Sequence, residues 1–313
     1  MYTPPILFLI FNRPDTTVQV FERIRQIKPA KLYVAADAPR AERPGEVKRC
    51  AEARAVVDRI DWDCELKTLF RDKNLGCKTA VSEAITWFFE QEEYGVILED
   101  DCLPDLSFFP FCEELLIRYK DDERIGHIGG NCFFPCIVKE GLSYDFCSVS
   151  HIWGWASWRR VWQNYDVNFS YWEDARKDRN KRKSLFKNLY DEIYFSSFIS
   201  DTLQGGKGIN AWSVQYLFLL RVQNQLSIYP AVNLVTNIGL SSPGATHTVS
   251  QKAMKLYVLS GTVSFPLKHP QYVLPDYRID HITLKKKFFS YKRLLRYFLK
   301  LYGLLMFSAP IPF

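Results

Sequence analysis

Short apolar segments alternate with segments of helical periodicity along residues 5–98. The apolar segments, which we predict to be strands, are 5–11, 32–36, 66–70 and 96–98. The segments that place apolar residues at helical spacing, which we predict to be helices, are 16–27, 46–60 and 78–90. Strands that alternate with helices form right-handed β-α-β units with parallel strands. The sequence therefore predicts an α/β fold with a mixed, mostly parallel central sheet flanked by helices.

Polar side chains follow each predicted strand. Arg13 follows the first strand, Asp37 the second, Arg71 the third, and the acids at 99–101 the fourth. Parallel sheets bind ligands beyond the carboxyl ends of their strands, so we expect these side chains to share one site. Neither a G-x-G-x-x-G pattern nor a Walker P-loop occurs, which disfavours a dehydrogenase or a P-loop ATPase.

Three consecutive acids, Glu99, Asp100 and Asp101, directly follow the apolar run 96–98. Clustered carboxylates repel one another, and burying one without a partner is costly. The triplet is therefore either a solvated turn, as the Leu-Pro-Asp that follows it suggests, or it is neutralised by a cation. Hard cations such as Mg²⁺ and Mn²⁺ take oxygen ligands of this kind. The residues alone leave both interpretations open.

The net charge of +6 is concentrated at the C-terminal end of the chain. Residues 1–280 carry 34 bases and 35 acids, whereas seven bases and no acid follow Asp280. A near-neutral body disfavours a nucleic-acid partner. The segment 285–307 mixes the bases with leucine and aromatic residues, which is typical of an amphipathic helix on an anionic membrane surface. The alternative is a C-terminal helix docked on the domain.

The N-terminal segment and the cysteines predict a cytoplasmic chain. The apolar run 6–11 has no basic residue before it and is too short for a signal peptide or a membrane span. The eight cysteines include no C-x-x-C pair, so we expect reduced thiols and no structural zinc site. Together with the basic tail, this predicts peripheral attachment to the inner face of a bacterial membrane.

The sequence pattern becomes irregular after residue 125. Short strands are predicted at 127–131 and 225–230, and the segment HIWGWASW at 151–158 is densely aromatic. Residues 172–208 are polar with helical periodicity. We expect one domain with two halves, 1–125 for a nucleotide sugar and 126–280 for an acceptor and catalysis, followed by the basic tail 281–313.

Several motifs together resemble the GT-A class of nucleotide-sugar glycosyltransferases. They are FLIFNRP at 8–14, RDKNLGC at 71–77, ILEDD at 97–101, IWGWA at 152–156, NLVTNIG at 233–239 and ATHT at 245–248. In order and spacing they are most similar to bacterial relatives of the N-acetylglucosaminyltransferase that starts complex N-glycans. The resemblance implies a metal-dependent, inverting hexosyltransferase of surface polysaccharide or lipopolysaccharide synthesis. Such an enzyme moves a sugar from a nucleotide diphosphate, UDP in particular, to a hydroxyl of a glycan or lipid-linked saccharide.

The resemblance assigns the acidic triplet to a metal ion and the sugar donor. Asp101 would ligate the Mn²⁺ or Mg²⁺ that bridges the diphosphate, and this cation would stabilise the charge of the leaving group. Asp100 would contact the ribose or hold the site together, and Glu99 would support the site or contact the donor sugar. His247 would be a second metal ligand or a diphosphate contact, although a lone histidine is more often structural.

Other residues of these motifs would contact the nucleotide. Asp37 would accept a hydrogen bond from the uracil N–H; alternatively it forms a turn before Pro39. Arg71 would face the base or the diphosphate; alternatively it forms an ion pair with Asp72. These roles follow from the resemblance, and the alternatives follow from the neighbouring residues.

Three residues are candidates for the diphosphate itself. Arg13 carries a planar guanidinium, whose fork of N–H groups suits phosphate oxygens. Asn74 and Lys78 lie near the start of a predicted helix, where backbone N–H groups favour anions. Lys78 is equally explained as a solvated base.

The second half would supply the sugar contacts and the catalytic base. Trp153 and Trp155 would line the donor-sugar or acceptor site, or they form a buried aromatic cluster. An inverting transferase needs a general base for the acceptor hydroxyl. Where the family has an acid after a tryptophan, this chain has Ser213, which is no base at neutral pH without an activator. Either the register of this motif is shifted, or the base comes from elsewhere, with Asp201 the nearest preceding acid, or the activity is weakened or altered.

Two alternative functions remain open at this point. A sugar-phosphate nucleotidyltransferase on a related fold would carry a glycine-rich loop after the first strand, but residues 11–14 contain no glycine. A degenerate transferase that only binds nucleotide sugar or glycan is suggested by Ser213.

Overall fold

The structure is a computed structural model that describes residues 3–134, 137–203, 210–241 and 261–288, together with Leu295 and Leu299. Its centre is an eight-stranded sheet flanked by helices, which confirms the predicted mixed α/β class and is consistent with a Rossmann-like GT-A fold. The prediction for His247 lies outside the described residues, as does most of the basic tail. The division of the chain at 125 and 280 stays a prediction.

Two sheets contain the strands of the described part of the chain. The strands are β1 (Ile6–Ile10), β2 (Lys31–Ala36), β3 (Glu65–Phe70), β4 (Tyr94–Glu99), β5 (Cys102–Pro104), β6 (Ile125–Gly129), β7 (Tyr144–Cys147), β8 (Trp155–Trp158), β9 (Leu226–Pro230) and β10 (Val235–Asn237). The large sheet has the order β3-β2-β1-β4-β8-β6-β9-β7, and β5 pairs with β10 in a small second sheet.

Strand direction decides which loops meet at one edge of the large sheet. Strands β1 to β4 are parallel, whereas β8 is antiparallel to both of its neighbours, β4 and β6. Trp155 at the start of β8 therefore lies opposite Ile97 near the end of β4 and opposite Gly129 at the end of β6. The segments after β4 and β6, and the segment before β8, emerge at the same edge as the loops after β1 to β3.

Helices cover the sheet and form a second layer in the later half. They are α1 (Pro14–Ile27), α2 (Glu46–Arg54), α3 (Gly76–Gln91), α4 (Phe108–Arg118), α5 (Arg159–Trp162), α6 (Ser170–Ala175), α7 (Arg179–Leu185), α8 (Leu189–Leu203), α9 (Ser213–Val222) and α10 (Tyr277–Ile282). Shorter helical turns occupy Ala55–Arg59 and Ile238–Ser241, and a π-helical turn follows α10 at Thr283–Phe288.

Helix α1 shows how the local sequence sets an element that borders the site. It begins with Pro14, whose fixed φ suits the first helical position, and it ends at Lys28, which adopts the left-handed conformation with φ 51°. Its apolar face, Val20, Phe21 and Ile24, is fully buried. The helix therefore starts directly beyond the carboxyl end of β1 and is held there by core packing.

The core continues through both predicted halves of the chain. One cluster of buried apolar side chains extends from β1, β2 and β4 to β6, β8 and α9. A second cluster lies among α6 to α9, around Phe169, Trp172, Phe195 and Phe218. Strands β1 and β6 are buried along their whole length, and β1 is accordingly apolar at every position.

The sequence predicted the first four strands and the three helices between them, with shifts of a few residues at their ends. The predicted helix 46–60 divides into α2 and the turn Ala55–Arg59, and the polar helical segment from 172 onwards contains α6, α7 and α8. The elements that were missed are α4, α5, α9, α10, β5, β7, β8 and β10, of which β8 lies within the aromatic segment.

Within the described residues, no helix is long and apolar enough to cross a membrane. The seven cysteines that the structure describes are free thiols. Of the tail, only the start at 281–288 and two isolated leucines are described, so its predicted membrane attachment stays a prediction.

Candidate functional site

A cleft of about 1060 Å³ opens at the carboxyl ends of β1, β2, β3 and β4. It lies where β1 has β2 on one side and β4 on the other, the point at which open α/β sheets bind ligands. Four arginines and five acids line it: Arg13, Arg40, Arg49, Arg71, Asp15, Asp37, Glu52, Glu99 and Asp100. The convergence predicted from the strand ends is therefore present, and the cleft is rich in charged side chains.

Arg13 neutralises two acids of the triplet. Its Nη2 lies 2.6 Å from Oδ1 of Asp100, and its Nη1 lies 2.5 Å from Oδ2 of Asp101. The side chain of Asp100 is only 3% exposed, and its Oδ2 also accepts from the backbone N–H of Phe11 at 3.1 Å. The N–H groups of Arg13 therefore bind Asp100 and Asp101. The sequence predicted that these N–H groups contact a diphosphate.

Asp101 is set apart from the other two acids. Glu99 and Asp100 line the cleft, whereas the turn at 237–241 covers Asp101: a Cβ on Gly239 would collide with its Oδ2 and with Arg13. The backbone N–H of Ile238 donates to the carbonyl of Asp101 at 2.8 Å. The close approach explains why glycine occupies position 239.

The described residues do not complete a metal centre. No group of three or more His, Cys, Asp and Glu side chains among them is placed to hold a metal ion. The cation that faces Asp100 and Asp101 is the guanidinium of Arg13. Ligation of Mn²⁺ or Mg²⁺ by Asp101 and His247 stays a prediction.

Burial raises the pKa of two of the acids at the end of β4. It raises the pKa of Glu99 to about 8, and the neighbouring charges of Asp101 and Asp100 act in the same direction. Burial likewise raises the pKa of Asp100 to about 7, although the positive charge of Arg13 opposes the shift. Burial thus favours the neutral form of both carboxyl groups, and the charge of Arg13 opposes this effect.

Asp37 fastens the loop between β3 and α3. Its carboxylate accepts from the backbone N–H of Ala38 at 2.9 Å, of Leu75 at 3.0 and 3.1 Å, and of Gly76 at 2.9 Å. It therefore caps the first turn of α3 from across the cleft. Most of these hydrogen bonds reach the next loop, so Asp37 does more than form a local turn before Pro39. Contact with a uracil base stays a prediction.

Three backbone N–H groups at the start of α3 already have partners within the chain, and diphosphate binding by Asn74 and Lys78 stays a prediction. The backbone N–H groups of Leu75 and Gly76 donate to Asp37, and that of Lys78 donates to Oδ1 of Asn210 at 3.2 Å. The side chain of Asn74 donates to the carbonyl of Ala38 at 2.6 Å. These groups hold together the two loops that border the cleft.

Two arginines remain available to a ligand in the cleft. Arg71 is 21% exposed and pairs at 2.7 Å with Glu83, which is itself half exposed; the pair with Asp72 that we considered is not formed. Arg49 is exposed and has no ion pair within the described part of the chain. A surface pair such as that of Arg71 is weak and exchanges readily for a phosphate.

Glu46 is an anchor that the sequence analysis did not find. Its side chain is 1% exposed and accepts three hydrogen bonds from Arg40 and one from Asn12 at 2.7 Å. These bonds, those of Arg40 foremost, lower the pKa of Glu46 to about 2. The network ties the loop after β2 to the end of β1 and so shapes one wall of the cleft. No spacing pattern predicts such a contact.

A second cavity of about 160 Å³ lies beside the cleft, beyond the ends of β6 and β8. Trp153, Phe133, Asn131 and Ser213 are among its lining residues, and α8 contributes Phe198. The segment 210–213 connects the two cavities, because Asn210 lines the cleft and Ser213 lines the second cavity. The structure thus brings two predicted residues, Trp153 and Ser213, to one place.

Trp155 does not line this cavity and belongs to a buried aromatic cluster, the alternative that the sequence left open. Its side chain is 1% exposed and packs in the core against Trp212 and Tyr216, at ring-centroid distances of 5.6 and 4.7 Å. As the first residue of β8 it points into the sheet's packing layer, whereas Trp153 precedes the strand and stays half-buried at the cavity.

Asp201 lies on α8, three residues beyond Phe198, and lines neither cavity. Among the described residues that line the second cavity there is no carboxylate. The structure therefore does not place Asp201 as a base next to Ser213, and a catalytic role for either residue stays a prediction.

No protein-family profile matches the chain, and neither does any curated protein. Solved structures with a similar course of the chain include the glycosyltransferase GlyE of Streptococcus pneumoniae, at 10% identity and a TM-score of 0.32. This match covers 91% of the present chain and 64% of GlyE, so the chain spans less than two thirds of that protein.

Two further solved structures are similar to parts of the chain. The 4-diphosphocytidyl-2C-methyl-D-erythritol synthase of Anaerococcus prevotii matches with 7% identity and a TM-score of 0.31, over 70% of this chain and 99% of that one. A putative glucose-1-phosphate thymidylyltransferase of Bacillus anthracis matches with 8% identity and a TM-score of 0.29, over 70% and 94%. At these values the likeness assigns neither a family nor an activity.

Proposed function

We propose that this chain is a nucleotide-sugar glycosyltransferase, which moves one sugar from a nucleotide diphosphate to a hydroxyl of a glycan. The observation that carries the proposal is the pair of adjoining cavities at one edge of the sheet. The larger is rich in charge and lined by arginines, and the smaller is aromatic and lined by no Asp, Glu, Lys or Arg among the described residues. An anionic nucleotide requires cationic side chains, as in the larger cavity. An uncharged sugar packs against aromatic side chains, as in the smaller one.

The arginines of the cleft divide into fixed and available ones. Arg13 and Arg40 are held by Asp100 and Glu46. Arg71 has only an exposed partner, and Arg49 has none among the described residues. We propose that Arg71 and Arg49 bind the diphosphate, since guanidinium groups pair with phosphate oxygens through two parallel N–H bonds.

The finer assignments belong to the same proposal. They are a UDP-linked donor, inversion at the transferred sugar, dependence on Mn²⁺ or Mg²⁺, kinship with the N-acetylglucosaminyltransferase type and a role in bacterial surface polysaccharide or lipopolysaccharide synthesis. The motifs at 8–14, 71–77 and 97–101 support them, because all three lie at the cleft.

Binding of nucleotides to the full chain tests the proposal directly. We expect UDP and UDP-sugars to raise the unfolding temperature, because a ligand that binds only the folded state stabilises it by mass action. Arg71→Ala should weaken UDP binding about tenfold or more, the loss expected for one charge-assisted contact. Arg124→Ala is the matched control, since Arg124 is an exposed arginine at the opposite edge of the sheet.

Equal UDP affinity of the Arg71→Ala and Arg124→Ala variants would overturn the placement of the diphosphate. Titration with Mn²⁺ and with a chelator, in the parent chain and in Asp101→Asn, tests the metal. Release of UDP from a UDP-sugar in the presence of saccharide acceptors then establishes transfer, and pyrophosphate formation from a nucleoside triphosphate and a sugar phosphate would instead indicate a nucleotidyltransferase.

A binding protein without turnover is the second candidate. It is favoured by one observation, the absence of a carboxylate among the described residues that line the aromatic cavity. UDP-sugar binding together with no UDP release over a broad panel of acceptors would support it.

We also propose that the tail attaches the protein to the cytoplasmic face of a membrane. The support is the run of seven bases between residues 285 and 300 among aromatic and leucine side chains. Cosedimentation with phosphatidylglycerol vesicles should be strong for the full chain and lost when the seven bases are changed to glutamine, because each contributes about 1 kcal/mol near an anionic surface. Equal binding of both proteins would contradict the proposal.

A further inference from the structure

The aromatic cavity contains a buried amide without a partner. Asn131 lies just beyond the end of β6, and its residue surface is 1% exposed. In the described part of the chain, neither its Oδ1 nor its Nδ2 has a hydrogen-bond partner. Buried polar atoms in native proteins are almost always paired, and an unpaired one costs about 1–3 kcal/mol. An amide in this state is accounted for by a ligand that pairs with it.

A neighbouring asparagine shows the contrast. Asn233 is also buried, but its Oδ1 accepts from the backbone N–H of Cys132 at 2.9 Å, and its Nδ2 lies 3.5 Å from Oγ1 of Thr236. The adjacent backbone therefore satisfies Asn233 and not Asn131. Asn131 differs from Asn233 in that both polar atoms of its side chain lack a partner in the described part of the chain.

The walls of the cavity are apolar rings in fixed positions. Phe133 packs edge to face against Trp153, at a centroid distance of 5.2 Å, and against His151 at 4.5 Å. Both partners of Phe133 line the same cavity. The described lining contains no Asp, Glu, Lys or Arg. Apart from the imidazole of His151, a phosphate or a carboxylate would find no side chain here that can carry a positive charge, which favours an uncharged occupant.

The volume of the cavity and the hydrogen-bonding groups of Asn131 further restrict which uncharged ligands fit. A cavity of about 150 Å³ holds one six-membered ring, and this cavity has about 160 Å³. A carboxamide offers one acceptor and two donors side by side. Two hydroxyls on adjacent ring carbons match it, because one donates to Oδ1 while the other accepts from Nδ2. The C–H faces of the same ring pack on aromatic side chains.

We propose that the aromatic cavity is the subsite for one uncharged sugar ring of the acceptor, and that Asn131 is the specificity-determining residue that recognises a pair of adjacent hydroxyls on it. The inference rests on the proposed function, because it describes the acceptor, which is the second substrate of the proposed reaction. The topology agrees with it, because β6 and β8 place Asn131 and Trp153 at the sheet edge that carries the nucleotide cleft.

Sugar binding to the full chain in the absence of nucleotide tests the proposal. The probes are methyl β-D-glucopyranoside and methyl β-D-galactopyranoside, with tetrahydropyran-2-methanol as a ring that lacks adjacent ring hydroxyls. Saturation-transfer NMR should detect at least one glycoside and not the control ring. Asn131→Leu, which keeps the size of the side chain, should weaken that glycoside at least about tenfold, the loss expected for two hydrogen bonds.

Stability and nucleotide binding of the same variant separate recognition from misfolding. Asn131→Leu should unfold at the same temperature as the parent or higher, because it removes an unpaired buried amide. Its UDP affinity should equal that of the parent. Asn164→Leu, on an exposed asparagine, is the matched control and should leave glycoside binding unchanged.

Each other result overturns the proposal. It fails if neither glycoside binds, if the control ring binds as well as the glycosides, or if folded Asn131→Leu binds the glycoside like the parent. Failure of the proposed function is a separate outcome: a glycoside would bind in an Asn131-dependent manner while no UDP-sugar binds or turns over.

Discussion

The guanidinium of Arg13 and the buried carboxylate of Asp100 form a partly buried ion pair across the end of the sheet, with Nη2 of Arg13 at 2.6 Å from Oδ1 of Asp100. Arg13 comes from the loop after β1, and Asp100 follows β4, the strand beside β1. The parallel register places both strand ends side by side. The chain thereby supplies its own cation to an acidic cluster whose sequence predicts a metal ion.

Removal of Arg13 should destabilise the fold. Arg13→Ala leaves Asp100 and Asp101 buried without their cation, and we expect the free energy of unfolding to fall by about 2 kcal/mol, moderated because Arg13 is 34% exposed. Urea unfolding at neutral pH measures it. Arg25→Ala is the matched control, since Arg25 pairs with the exposed Asp61 and should matter little. Equal midpoints for the two variants would contradict the role of Arg13.

Glu46 should make the free energy of unfolding depend on pH in the acidic range. Hydrogen bonds from Arg40 hold the pKa of Glu46 at about 2 in the folded chain, below its ordinary value of 4.5. The contribution is therefore complete above about pH 5 and is lost as the pH falls towards 2. Glu46→Gln should cost about 2 kcal/mol at pH 7 and flatten this acid limb of the unfolding curve.

The control for this experiment is Glu52→Gln, because Glu52 lies on the same helix, is exposed and pairs only with the exposed Lys48 within the described chain. It should leave the pH dependence unchanged. If the stability of Glu46→Gln falls in acid as steeply as that of the parent, the network around Arg40 does not hold the loop.

Asp37 should act as a cap for α3 whether or not it contacts a base. Asp37→Ala removes the acceptor for the backbone N–H groups of Leu75 and Gly76, and we expect a loss of about 1–2 kcal/mol. Amide exchange at these two residues should accelerate. Asp72→Ala, an exposed acid in the same loop, is the control. Unchanged amide exchange in Asp37→Ala would contradict the capping role.

The two tryptophans of the IWGWA motif should behave differently. Trp155→Ala should lower the free energy of unfolding by about 3–5 kcal/mol, because it leaves a large hole in a packed core. Trp153→Ala should cost clearly less, since its side chain is half-buried at a cavity. Thermal unfolding of both variants measures the difference, and a larger loss for Trp153 would reverse our assignment.

The order of elements in the first part of the chain was accessible from local patterns. Strands β1 and β4 are apolar along almost their whole length, and α1 and α3 carry apolar residues at helical spacing. Strand β8 was missed because its four residues are buried on both faces and show no alternation. Helix α4 was missed although its buried residues recur at helical spacing along one face.

The sequence by itself determined that polar groups gather at the carboxyl ends of parallel strands, because periodicity specifies the strands and the β-α-β unit specifies their direction. Only the tertiary structure decided which of these groups face a ligand. Arg13 meets Asp100, Gly239 covers Asp101, and Asn131 is left without a partner. These relationships join residues far apart in the chain, and pairing and burial arise only when the strands and loops are packed together.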